Sequence, residues 1–123
     1  AGADKLDGGA GDDSFHYAAI SEFGDTVAGF SLFSTSGDVF TFNAAALGGF
    51  GTIAEDQTLA STRFQTGTDN VASNSVIRFM WESDTDMLWY DRDGSGSTYS
   101  AVMVADFSTT SSSLTANDII LLA

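Results

Sequence analysis

Glycine and aspartate recur with a fixed spacing at the start of the chain, and this spacing suits the binding of a hard cation. Residues 8–16 fit the nonapeptide G-G-x-G-x-D-x-U-x, in which U is a large apolar residue. A truncated copy precedes it, because Asp4 stands nine residues before Asp13 and each has a glycine two residues before it and an apolar residue two residues after it. Glycine permits the positive φ of a tight turn and leaves carbonyl oxygens free for a cation, while aspartate adds an anionic oxygen. We therefore predict that Asp13 and Asp4 are Ca²⁺ ligands, together with carbonyls from Gly9 and Gly11.

The alternative interpretation of this segment is a glycine- and aspartate-rich hairpin turn that binds no metal. Turn chemistry explains the residue types but does not require two copies in a nine-residue phase. The phase therefore favours the metal-binding interpretation.

With this repeat the chain resembles the RTX, or haemolysin-type calcium-binding, family of bacterial proteins that are exported by type I secretion. The resemblance implies a parallel β-roll, in which successive repeats place their loops on alternate edges and calcium lies between loops two repeats apart. It also implies that Asp4 and Asp13 lie on opposite edges and do not share an ion. Because the chain opens in mid-repeat, we expect it to be part of a longer protein.

Two short segments after the repeat resemble D-x-I-x-D-F and G-x-D-x-I-D-L-S, which often follow the roll in this family. Asp25 and Phe30 fit the first segment, although Gly29 stands where the family has its second aspartate. Asp38 belongs to the second segment, in which Thr41 replaces another expected acid. The resemblance adds Asp25 to the candidate metal ligands.

Residues 88–96 resemble the family pattern L-x-Y-D-x-D-G-x-G, and they make Asp91 and Asp93 candidate ligands as well. Two carboxylates two residues apart, followed by a glycine, can surround a calcium ion. The segment is not an EF-hand, because Val102 occupies the position of the twelfth-residue glutamate. A hairpin loop whose aspartates accept hydrogen bonds from their own backbone is the alternative.

The last residues of the chain also admit two interpretations. Asp118 is followed by Ile119, Ile120, Leu121 and Leu122, which resembles the C-terminal element of type I secretion substrates. A last β-strand packed in the core explains the same apolar run. Both can hold, because an export signal is read before folding and can be buried afterwards.

The remaining pattern predicts an all-β fold, in which a short parallel β-roll continues into a β-sandwich or antiparallel β module. Short predicted strands are separated by Gly, Ser, Thr, Asn and Asp, and one helical turn is predicted at residues 44–47. We divide the single domain into roll repeats at 1–18, connecting strands and a loop at 19–74, and a C-terminal β module at 75–123. The predicted strands are residues 14–18, 25–30, 38–42, 75–81, 87–90 and 101–107.

Composition narrows the possible functions. The net charge of −13, with only four Lys and Arg residues, argues against a nucleic-acid partner. No apolar run reaches the length of a membrane span, and the chain has no cysteine for disulfides. His16 is the only histidine, with no cysteine or second histidine nearby in sequence, so we expect no catalytic site.

These observations lead to one expected function and one alternative. The first is a secreted, calcium-binding module that folds outside the cell and contacts a type I exporter, attached to a larger bacterial protein. The alternative is a calcium-stabilised adhesin or carbohydrate-binding module that recognises a sugar or another cell-surface ligand. In the alternative, four aromatic residues could form a sugar platform, although strand alternation places about half of them in the core: Trp81, Trp89, Tyr90 and Tyr99.

Overall fold

A computed structural model describes residues 4–7, 13–28, 38–107 and 114–123, and it confirms the all-β class. The strands are β1 (Lys5–Asp7), β2 (Ser14–Tyr17), β3 (Asp25–Ala28), β4 (Val39–Asn43), β5 (Gln57–Thr58), β6 (Phe64–Gly67), β7 (Phe79–Glu82), β8 (Met87–Tyr90), β9 (Val102–Asp106) and β10 (Ile119–Leu122). One short helix, α1 (Ala44–Leu47), and three 3-10 turns at Ile20–Glu22, Ser61–Arg63 and Ala116–Asp118 complete the described elements.

The first four strands alternate between two sheets. The six-stranded sheet has the order β1-β3-β9-β8-β7-β6, and the four-stranded sheet has the order β2-β4-β10-β5. β1 pairs with β3 and β2 pairs with β4, both in parallel, so the chain visits the sheets in turn as it winds. Parallel strands require such crossover connections, because a hairpin joins only antiparallel neighbours.

The last two strands continue the same winding. β9 pairs in parallel with β3, and β10 pairs in parallel with β4. Residues 44–101 therefore form a long excursion between the fourth strand of the winding and the fifth. The C-terminal part is consequently a mixture of parallel and antiparallel pairing, because two of its strands belong to sheets that the N-terminal strands begin.

Both antiparallel pairs of the larger sheet involve β8, which lies in this excursion. β7 and β8 form a hairpin whose turn covers residues 83–86, and β8 pairs antiparallel with β9 across a bulge at Leu88 and Trp89. The weakly patterned residues 52–74 contribute β5, antiparallel to β10, and β6, parallel to β7.

The helical turn predicted at 44–47 is present, and its ends show why it is short. The side chain of Asn43 accepts a hydrogen bond from the N–H of Ala46 at 3.3 Å, which caps the first turn. Gly48 follows in the left-handed conformation, with φ 81°, and ends the helix.

Aromatic rings join the two sheets into one core. Phe40 of the smaller sheet lies 5.3 Å from Phe107, measured between ring centroids, and Phe42 lies 4.9 Å from Phe79. The strand period of two points alternate residues inward, and this explains the buried phenylalanines on β4 and the complete burial of Trp81 on β7.

The burial pattern removes most of the aromatic sugar platform considered above. Trp81 is fully buried and Tyr90 is 1% exposed, while Trp89 is half-buried and donates its indole N–H to Glu82 at 2.9 Å. Tyr99 alone of the four is well exposed, at 43%. Among the described residues, no helix has the length and apolarity needed to cross a membrane.

Candidate metal centre

Four of the aspartates lie as two pairs at the starts of neighbouring parallel strands. We call Asp4 with Asp25 the first strand-start pair and Asp13 with Asp38 the second. The Asp4 N–H donates to Asp25 Oδ1 at 2.8 Å, and the Asp13 N–H donates to Asp38 Oδ1, also at 2.8 Å. In each pair, the carboxylate of the later strand thus satisfies a backbone N–H where the ladder of the earlier strand begins.

The first strand-start pair is closed by a third residue. Asp25 is 5% exposed, and its second oxygen, Oδ2, accepts a hydrogen bond from the Tyr17 hydroxyl at 3.0 Å. Burial, and then the nearby charge of Asp25, raises the pKa of Tyr17 above its usual value, so this phenol keeps its proton. These hydrogen bonds explain the burial of Asp25 without a cation; whether it also binds one stays a prediction.

The second strand-start pair has an oxygen without a partner. Asp13 Oδ2 is buried and makes no hydrogen bond to any residue in the described ranges. A buried carboxylate oxygen that lacks a donor costs free energy, and a cation is one way to satisfy it. Gly9 and Gly11, whose carbonyls we predict as further ligands, lie outside the described residues.

Asp91 and Asp93 form a second candidate location, in the loop after β8. Asp91 is 6% exposed, and its Oδ1 accepts the N–H of Asp93 at 3.1 Å. Asp93 Oδ2 accepts the N–H groups of Thr98 at 3.0 Å and Tyr99 at 3.3 Å, whereas its Oδ1 is buried without a hydrogen bond. The loop thus has the self-bonded hairpin geometry given above as the alternative, and it also has a carboxylate oxygen without a donor.

Gly94 holds this loop against the chain before β7. Its φ is 61°, and a Cβ at this position would stand 2.6 Å from the carbonyl oxygen of Asn74 and 2.8 Å from that of Ile77. Only glycine combines this conformation with so close a backbone approach. The glycine of the D-x-D-G pattern is therefore required by packing, whether or not a cation binds.

The fold shifts the pKa values of the two carboxyl groups of this loop in opposite directions. Burial, followed by the hydrogen bond to Asp93, raises the pKa of Asp91. Burial also acts to raise the pKa of Asp93, but hydrogen bonds from the Asp91 carboxyl and from backbone N–H groups outweigh it and lower that pKa. The opposite shifts follow from the hydrogen bond that the two carboxyl groups share.

The structure brings together some predicted ligands and separates others. Asp91 and Asp93 share one loop, whereas Asp4 and Asp13 precede strands of different sheets. Within the described ranges, no three His, Cys, Asp or Glu side chains form a group able to hold a metal ion. A complete coordination shell at Asp13 therefore needs carbonyl oxygens or residues from outside those ranges.

One residue of the strand-start pairs was not among the predicted ligands. Asp38 is fully buried and lies beside Asp13, its Oδ1 accepting the Asp13 N–H. The signal that could have identified it is its position, because Asp38 immediately precedes an apolar strand as Asp13 does. Strand pairing over 25 residues, which the sequence does not display, decides that the two meet.

The C-terminal residues form an interior strand. β10 lies between β4 and β5, with Ile119 and Leu121 buried, and Asp118 is 2% exposed. Asp118 Oδ2 accepts the N–H of Thr115 at 2.8 Å and its hydroxyl at 3.1 Å, which caps the turn before the strand. This agrees with the last-strand interpretation and leaves the export interpretation untested.

No protein-family model, no curated protein and no solved structure matches this chain.

Proposed function

We propose that this chain is a calcium-binding folding and type I secretion module at the C-terminal end of a larger exported bacterial protein. The observation that carries the proposal is the buried, unpartnered Oδ2 of Asp13 at the start of a strand in a parallel two-sheet winding. Asp13 is also the aspartate of the complete nonapeptide. A hard cation would supply the missing positive partner, and oxygen ligands are those that Ca²⁺ prefers.

The residues that would hold the ion belong to the nonapeptide, which leads into β2. Asp13 provides Oδ2, while Asp38 holds the backbone N–H of Asp13 and so orients the start of the strand. We assign the remaining ligands to carbonyls of Gly9 and Gly11, as the repeat predicts. Calcium, when bound, neutralises carboxylate charge, which favours the compact state in a chain of net charge −13.

Calcium then acts as a folding signal, because a ligand that binds only the native state stabilises it. At a hundredfold excess over Kd this stabilisation is about 2.7 kcal/mol. Calcium modules outside cells bind at roughly 10⁻⁴–10⁻³ M, so the folded chain gains this stability after export, where calcium is abundant. Disulfides have no part in this process, since the chain has no cysteine.

Thermal unfolding with and without calcium tests the folding part of the proposal. We expect the Tm of the chain to rise by several degrees when calcium replaces EGTA, with magnesium at the same concentration as the control for ionic strength. Calorimetric titration should give saturable calcium binding. Melting curves that coincide in calcium and EGTA would contradict the proposal.

Export needs a separate test, because the tail is also a structural strand. The chain is fused to a passive cargo in a host that carries a type I exporter. One variant lacks residues 118–123, and a second, Phe42→Asp, disrupts the core but keeps the tail. We expect the Phe42→Asp fusion to reach the medium and the truncated fusion to remain inside. Export of both fusions would show that the tail serves only packing.

A further inference from the structure

Three of the four cationic side chains of this acidic protein meet at one place. Arg92 packs against Gly48, Arg78 donates through Nε to the Gly49 carbonyl at 2.7 Å, and the Arg63 guanidinium lies 5.5 Å from the Phe50 ring centroid. Burial, followed by the charge of Arg63, lowers the pKa of Arg78, as expected for cations that share one surface. Three of the four Lys and Arg side chains of this acidic chain therefore lie beside the segment after α1, with the charges of Asp91 and Asp93 near Arg78.

Arg78 and Arg92 differ in the groups that their guanidinium groups contact. Arg78 is occupied by backbone carbonyls, because its Nη1 also donates to Ser75 at 2.6 Å and to Ile77 at 3.0 Å. Arg92 lies instead over the Tyr99 ring, with Cζ 4.5 Å from the centroid. The described residues provide no carboxylate in salt-bridge range of Arg92, so the edge of its guanidinium is open to an anion.

Gly48 fixes the other face of this guanidinium. A Cβ on Gly48 would stand 2.5 Å from Nε and 2.6 Å from Cζ of Arg92, so only glycine admits the arginine so close. With Gly48 on one side and Tyr99 stacked against it, the guanidinium is held in a defined plane. An arginine fixed in this way loses little side-chain entropy when it binds a planar anion.

Arg92, Tyr90 and Tyr99 line a pocket of about 380 Å³. Its other lining residues are two with apolar side chains, Ile20 and Val102, and two that carry hydroxyl groups, Thr98 and Ser100. This volume lies at the lower end of the range found for small-molecule sites. Asp91 lines a different pocket.

We propose that this pocket binds a small organic monocarboxylate, whose carboxylate is held by Arg92 and whose apolar body lies between Ile20 and Val102. Arginine offers two parallel N–H groups that match a carboxylate, and the hydroxyl groups complete the polar end. The apolar walls favour a ring or branched chain over a bare inorganic anion. The negative field of the whole chain disfavours a polyanion.

Titration with phenylacetate, followed through the backbone amide signals by NMR, tests this proposal in buffer that contains calcium. We expect saturable shifts at residues 92, 98–100 and 102, with a Kd of roughly 1–10 mM, because a ligand of about ten heavy atoms gains little affinity per atom. Its neutral analogue 2-phenylethanol, and inorganic phosphate, should bind at least about tenfold more weakly. Equal affinity for 2-phenylethanol would overturn the role of the guanidinium.

Two variants and a control distinguish the loss of the binding site from the loss of the fold. Arg92→Gln removes the cation and should weaken phenylacetate binding by about 10- to 100-fold, the range for a hydrogen bond to a charged group. Val102→Glu keeps Arg92 and places a carboxylate at the pocket, so it should abolish binding without disturbing the core, since Val102 is 41% exposed. Val76→Glu is the matched control, because Val76 is 45% exposed and lies outside this pocket.

Phenylacetate shifts that persist unchanged in Val102→Glu, or that vanish equally in Val76→Glu, would overturn the proposed location.

Discussion

The first and second strand-start pairs have the same backbone hydrogen bond but differ in how their remaining carboxylate oxygens are satisfied. In each, a carboxylate of the later strand accepts the N–H of an aspartate on the earlier strand at 2.8 Å. In the first pair, Asp25 Oδ2 accepts the Tyr17 hydroxyl, so a buried side chain completes the arrangement. In the second, Asp13 Oδ2 is buried without a donor. The two pairs thus share one hydrogen bond, and in the second pair the oxygen without a donor lies on the earlier aspartate, whose N–H makes that bond.

The difference arises from which residues lie nearby. Tyr17, on β2, reaches across to Asp25 at the start of β3 in the other sheet. No described residue donates a hydrogen bond to Asp13 Oδ2. We infer that the first pair stabilises the fold at any calcium concentration and that the second is the one whose stability depends on the ion.

The largest expected effect is that of Asp25→Ala. Removing this carboxylate leaves the Tyr17 hydroxyl and the Asp4 N–H without their acceptor, which we expect to cost about 3 kcal/mol of unfolding free energy. The loss should be present in EGTA, measured by urea unfolding, with Asp84→Ala at the exposed β7–β8 turn as the control. Unchanged stability in EGTA would contradict the closed arrangement, whereas an additional loss in calcium would make Asp25 a ligand too.

Asp13→Ala should behave in the opposite way. We expect little change in EGTA, because an unpartnered buried oxygen is removed, but a loss of up to about 2.7 kcal/mol in saturating calcium. Calorimetric titration should show weaker calcium binding than in the Asp84→Ala control. Unaltered calcium affinity and stoichiometry would remove Asp13 from the site.

Tyr17→Phe removes the side chain that closes the first pair. The substitution keeps the ring in the core but leaves Asp25 Oδ2 without its donor, and we expect a loss of about 1–2 kcal/mol, independent of calcium. Urea unfolding of the variant in EGTA and in calcium measures both quantities. A loss below about 0.5 kcal/mol would mean that water replaces the hydroxyl and that this pair is not closed by Tyr17.

The smallest expected effect concerns Asp91, the aspartate whose pKa the fold raises. A raised folded-state pKa means that the native state binds the proton more tightly than the unfolded chain. The resulting stabilisation is complete below the ordinary value of 3.8 and disappears as pH rises through the raised pKa. The lowered pKa of Asp93 contributes stability of the opposite pH dependence. That stability is present above 3.8 and is lost as pH falls through the lowered pKa.

Asp91→Asn removes this proton-linked contribution while its side-chain oxygen can still accept the Asp93 N–H. As pH rises above 3.8 in EGTA, the unfolding free energy of the variant should increase relative to that of the wild type. The increase should be less than about 1 kcal/mol. Denaturant unfolding at several pH values measures the difference. Stability curves that run parallel across this range would show that Asp91 is not perturbed.

The local elements were largely predictable, because their signals are local. Alternating apolar residues predicted β2, β4 and β8 to within a residue or two, and Gly48 after three alanines and a leucine predicted the helical turn. The strand predicted for residues 25–30 is observed to Ala28, and the rest lies outside the described residues. Residues 52–74 carried too little apolar pattern for β5 and β6 to be located.

The candidate site was predictable only in part. Asp13 and Asp4 follow from the nine-residue phase, and Asp91 with Asp93 follows from a local loop pattern. Asp38 beside Asp13, and Tyr17 on Asp25, depend on contacts between strands of different repeats. The register between paired strands determines such contacts, and the alternation of residues along one strand does not specify that register.

By itself, the sequence determined the β class, the excess of negative charge, the glycines that turn the loops and the aspartates that precede the strands. These properties depend on residue type and on spacing within a few positions. Only the tertiary structure decided that β9 and β10 rejoin the winding and which aspartate oxygen finds a donor. Burial and long-range pairing determine both, because a carboxylate becomes closed or open according to what the folded chain packs against it.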